Sequence, residues 1–143
     1  MSTVVLTNGD VLARNRFDTE GIEHLDLPVP VICGTQRQGD VLIVPCDPLA
    51  DKGHQVPAAG VTVVRGETTG GNAHVLHTLD GECFWQPAPD AQEGLLQGWL
   101  TVEAGSAATM IHTQEHNVLG VAPGCYEIKR SREFAGEWRR IQD

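Results

Sequence analysis

The chain has 143 residues, 20% of them charged and 41% apolar, a balance that fits a folded globular domain and excludes disorder along most of its length. Its formal net charge of -9 repels a phosphate backbone, which disfavours nucleic acid as a general partner. No stretch approaches the roughly 18 apolar residues of a membrane span, and MSTVVLTNGDVLAR lacks the basic and then apolar regions of a secretory signal. One domain over residues 1–143, in the cytoplasm and without membrane contact, is the expectation.

In chain order, TVVLTNGDVLAR reads as a hairpin, because Asn8-Gly9 can take the positive φ angles of a tight turn. DLPVPV reads as a loop. GDVLIVP, bounded by Gly39 and Pro45 and rich in Val, Ile and Leu, reads as a buried strand. VTVVRGE gives another, and AHVLHTLDGECFWQ sets Asp80-Gly81 between two alternating segments, the strongest local hairpin signal in the chain. QPAPDAQEG follows as an exposed loop. LLQGWLTVEAG, AATMIH, NVLGV and CYEIKR read as four further short strands with the spacing of a meander or Greek key. SREFAGEWRR reads as one short C-terminal helix with Ser131 as its cap. About eight or nine short strands with little helix predict an all-β fold, a small sandwich, jelly roll or barrel.

Cys33, Cys46, Cys83 and Cys125 form no C-x-x-C pair and sit beside apolar or turn residues, so they read as buried free thiols, with disulfides as the alternative. Neither a phosphate-binding loop nor a G-x-S-x-G elbow is present. Of the six histidines, His24 and His54 fall in predicted loops. In GGNAHVLH, strand alternation puts His74 and Asn72 on one face and His77 on the other. In MIHTQEHNV, His112 and His116 share parity around a polar turn, and Glu115 adds a carboxylate ligand or a general base. His74, His112 and His116 are therefore candidate ligands of a divalent metal (Zn, Fe, Mn or Ni), with Glu115 as the candidate catalytic residue. A hydrogen-bonded structural or surface histidine is the plainer alternative at each position.

Five of the ten Lys and Arg residues (Lys129, Arg130, Arg132, Arg139, Arg140) lie in the last fifteen positions, against Glu133, Glu137 and Asp143. This basic tail over 129–143 reads as a solvated or internally paired segment, with docking to an acidic partner as the alternative. Arg130, Arg132, Trp138, Arg139 and Arg140 are its candidate partner-binding residues.

The histidine pattern resembles the cupins in architecture alone, since the H-x-H pair and the spaced Glu of that signature are missing. Taken together, GDVLIVP, GETTGGNAHVL and QEHNVLGVAPGCYEIKRSREF resemble a family of small, uncharacterised bacterial and phage-borne proteins. That family carries a G-E-x-T-G-H-A-H run, an H-x-E-H run and P-G-x-Y-x-[VI]-x-R-x-R-E-[YF], and the resemblance covers roughly residues 39–143. It aligns His74 and His116 with two family histidines, while Asn72 and Thr113 stand where the family has two more. The resemblance implies no established activity. Two functions follow as expectations: a non-enzymatic, phage-linked β-module that binds a protein or self-assembles, or a cupin-like metal-binding enzyme or small-molecule sensor.

Overall fold

Alternating apolar residues build two sheets that face each other. The computed structural model describes residues 6–20, 25–64, 73–89, 95–113 and 117–130. Among these the chain forms one helix, α1 (Asn8–Arg14), and eleven strands. These are β1 (Val31–Ile32), β2 (Gln36–Gln38), β3 (Val41–Cys46), β4 (His54–Gln55), β5 (Val61–Val64), β6 (His74–Asp80), β7 (Cys83–Pro87), β8 (Leu96–Val102), β9 (Ala107–His112), β10 (Asn117–Val121) and β11 (Gly124–Arg130). One sheet runs β1-β10-β9-β6-β5 and the other β2-β3-β11-β8-β7-β4. Every pairing is antiparallel except β1 with β10. Neither sheet closes on itself, so the all-β expectation resolves to a small sandwich rather than a barrel.

The period of two along each strand decides what is buried. Val41 and Ile43 of β3, Leu76 of β6, Leu100 and Val102 of β8, Met110 of β9, and Tyr126 and Ile128 of β11 meet between the sheets. Each such side chain contributes roughly 1.5–3 kcal/mol by leaving water. A second apolar cluster lies on the outer face of the five-stranded sheet, where Val11 and Leu12 of α1 pack with Val29, Leu79, Ile111 and Val118. Strands β6 and β9 are thereby covered on both faces, which is why AATMIH carries so little polar alternation.

Two turn readings are corrected. The Asn8-Gly9 stretch is helical, because Thr7 and Asp10 form a capping box: the Thr7 hydroxyl accepts from the Asp10 N–H, and the Asp10 carboxylate accepts from the Thr7 N–H. Gly9 also lets the 25–29 segment approach, since a Cβ there would lie 3.1 Å from the Leu25 carbonyl oxygen. Asp80-Gly81 does turn the chain, with Gly81 at φ 73°. It carries the chain from one sheet to the other instead of closing a hairpin: β6 pairs with β5 and β9, and β7 with β4 and β8. The short strands β1, β2 and β4 exceed the expected count, and His54 belongs to β4. Of the thiols read as buried, only Cys83 is so, with its pKa pushed up to about 11 by burial, whereas Cys33 is exposed and Cys46 and Cys125 are half-buried. The expected C-terminal helix lies outside the described residues.

Candidate functional site

At one end of the sandwich the inner faces of the two sheets turn polar. His74 opens β6 and His112 closes β9, and the two are direct cross-strand partners on the face that carries Leu76 and Met110. Both are buried, and their rings stack face to face with centroids 4.3 Å apart and planes 4° from parallel. Gly39, at φ 59°, covers the ring edges: a Cβ there would lie 3.6 Å from His74 Cε1 and 3.8 Å from His112 Cε1.

Gln38 of β2 joins this cluster to the opposite sheet. Its Nε2 donates to the carbonyl oxygens of Met110 and Asn117, each at 2.9 Å, and to Asn117 Oδ1 at 3.1 Å. An amide nitrogen pointed at three acceptors leaves Gln38 Oε1 facing His74 Nδ1, at 2.8 Å. Since that oxygen can only accept, His74 carries its proton on Nδ1. The other ring nitrogen, Nε2, lies 3.4 Å from Asp40 Oδ1. That is longer than the roughly 2.7–2.9 Å of a charge-assisted hydrogen bond, and Nε2 makes no hydrogen bond among the described residues. His74 is the main influence holding the Asp40 carboxyl below its ordinary range; burial opposes it, and the Arg130 charge adds to it.

The structure brings His74 and His112 together, but not as two ligands of one ion. An ion sits near the plane of each imidazole that binds it, about 2 Å from the nitrogen. Two stacked, nearly parallel rings share no such point. Among the described residues no group of three or more His, Cys, Asp or Glu side chains is arranged to hold a metal. Glu115 and His116 lie outside the described residues, as do Arg132, Trp138, Arg139 and Arg140. Arg130 ends β11, half-buried, with its backbone N–H on the Leu95 carbonyl and its charge near Asp40.

Sequence reasoning missed Gln38 and Asp40. The available signal was Gln36-x-Gln38 just before a Gly-Asp turn: two amides at strand spacing, both buried, with Gln36 Nε2 donating to the Gly120 carbonyl at 2.9 Å. His77 faces away from His74, as strand alternation predicts. It is buried near the outer apolar cluster with Phe17 edge-on to its ring at 6.4 Å, and Gly60 fits against it because a Cβ there would lie 2.4 Å from Cε1. Neither His77 nitrogen has a hydrogen-bond partner among the described residues, and burial lowers its pKa.

The second candidate region is an edge. Leu27, Val31 and Ile32 are the exposed large hydrophobic residues among those described, at 48%, 45% and 40% exposure. Val31 and Ile32 form β1 at the rim of the five-stranded sheet, parallel to Gly120 and Val121. Gly120 permits this docking, since a Cβ there would lie 2.7 Å from the Pro30 carbonyl oxygen. No helix among the described residues is long and apolar enough to cross a membrane.

Neither a curated protein nor a solved structure matches the chain. A family model does, across residues 37–131, from β2 through β11 and thus across both the Gln38–His74 cluster and most of the sandwich. The chain belongs to that family, described as a domain of unknown function (DUF8820).

Proposed function

We propose that the protein is a non-enzymatic β-sandwich module that binds another protein through the β1 rim. The observation that carries this reading is the exposure of Val31 and Ile32 at a sheet edge, with Leu27 exposed just before them in the chain, while the other large apolar side chains described are buried or half-buried. Pro28 and Pro30 remove two backbone donors from the same segment, so the rim resists simple strand addition and contact falls to the side chains. The net charge of -9 makes two copies repel, which favours a partner with a neutral or basic face over self-assembly. The double variant Val31→Asp/Ile32→Asp tests this. Used as bait in lysate of the native host, the wild type is expected to retain a partner that the equally stable variant loses. Identical retention by both baits contradicts the reading, and a partner that proves to be the same chain reverses the choice between partner and self-assembly.

A second reading has its own support. Two donors about 2.0–2.1 Å from one tetrahedral ion lie roughly 3.4 Å apart, and His74 Nε2 and Asp40 Oδ1 are 3.4 Å apart. Gln38 fixes the other nitrogen of the ring, as an acceptor beside a metal-bound imidazole does. The metal-binding sensor or enzyme therefore narrows to His74 and Asp40, with His112 stacked on the first. Calorimetric titration of untagged protein with Zn²⁺ should show one site, weakened at least about tenfold in Asp40→Asn and kept in His112→Phe. No binding, or equal binding in Asp40→Asn, removes this reading.

A further inference from the structure

Two thiols far apart in sequence meet on the outer face of the six-stranded sheet. Cys46 ends β3, Cys125 lies near the start of β11, and they are direct partners in that antiparallel pair. Tyr126 and Ile128 point into the core, so Cys125 and its partner Cys46 rise together from the opposite face. Both are half-buried and unbridged. On the other side of Cys125 its register partner is Thr101, whose Oγ1 lies 3.7 Å from the Cys125 sulfur.

We infer that Cys46 and Cys125 form a reversible thiol–disulfide site, oxidised by a low-molecular-weight disulfide. Opposed residues of antiparallel strands have Cα atoms about 4.5–5.5 Å apart, within the roughly 4.4–6.8 Å that a disulfide spans. Their Cβ atoms are about 4.5–5.5 Å apart, whereas a relaxed bridge holds them near 3.8 Å. Closing the bond draws the strands together, and the strain keeps it open to reduction.

The order of the two exchanges follows from the surroundings. Burial raises the Cys46 thiol pKa, and the nearby Glu127, Cys125 and Asp47 add to that rise. Cys125 has the Thr101 hydroxyl available to donate to its thiolate. The Cys125 thiolate therefore attacks a sulfur of the small disulfide, forming a mixed disulfide and releasing one small thiolate. Cys46 then attacks the Cys125 sulfur and releases the second. Two protein thiols are oxidised, one small disulfide is reduced to two thiols, and the two protons lost by the cysteines pass to the departing thiolates. The bridge fastens β3 to β11 at the end of the strand pair away from Val41 and Arg130.

The test is incubation of the reduced full chain with oxidised glutathione, followed by non-reducing peptide mapping. In wild type and Cys33→Ser alike the peptides carrying Cys46 and Cys125 should be joined with the loss of two hydrogens, a link reversed by excess reduced glutathione. Cys46→Ser should instead trap glutathione on Cys125. The inference fails if Cys33→Ser stays fully reduced under conditions that modify exposed Cys33 in the wild type, or if the bridge formed involves Cys83. Because wild type and Cys33→Ser keep both partner cysteines, a folding defect in the other variant leaves the result decisive.

Discussion

The His74 cluster and the β1 rim of the five-stranded sheet differ in what they hide. Around His74 the protein buries polar groups, and Gln38 bonds to two backbone carbonyls and one imidazole N–H. At β1 it leaves apolar side chains in water. Burying a polar group costs free energy unless its bonds are remade, so the His74 end is organised from within and every member depends on its neighbours. The β1 rim depends on little: it is two residues long, and its exposed side chains support no core. Disturbing the first should therefore unsettle the fold, and disturbing the second should change only what the protein touches.

The largest expected effect is at Gln38. Gln38→Leu removes the side-chain bonds to the Met110 and Asn117 carbonyls and leaves the His74 Nδ1–H without its acceptor, and should cost about 2–4 kcal/mol by urea unfolding. Gln36→Leu removes one bond, to Gly120, and should cost about 1 kcal/mol. Similar costs for the two amides would mean that Gln38 is not the hub. Next in size is a pH effect from His77, whose folded pKa is lowered by burial. The native state then binds fewer protons than the unfolded chain, so the stability that His77 confers is fully present above the unfolded value near 6.5 and is lost as pH falls below it. The slope should reach at most about 1.4 kcal/mol per pH unit, and His77→Leu should flatten it. The smallest effect is at the rim, where Val31→Asp/Ile32→Asp should move stability by no more than about 0.5 kcal/mol. A loss several times larger would show that the rim is part of the core, and would end the contrast.

Much of the fold was legible because alternation and β-branched runs report burial directly: GDVLIVP, AATMIH, NVLGV and CYEIKR all became strands. The errors lie where one local signal serves two structures. Asn8-Gly9 suits a type I′ turn, but Thr7 and Asp10 close a capping box around it. Asp80-Gly81 turns the chain equally well into a hairpin or across to the facing sheet, and the double-sided burial of β6 is settled only by partners distant in sequence. Of the candidate site, strand parity separated His74 from His77, and His112 joined His74 through the register of β6 and β9. Asp40 and Gln38 were missed: the Gln36-x-Gln38 spacing marks one face of a short strand, but nothing in it tells that Gln38 reaches across to the other sheet.

Hydrogen exchange of the wild-type protein with its captured partner tests the central claim most directly, because it maps the contact onto one region or the other. The account predicts that protection on binding concentrates over residues 27–33, with the amides of Gln38 to Asp40 and of His112 unchanged. Protection centred on Gln38, Asp40 and His112, with β1 unaffected, would contradict it.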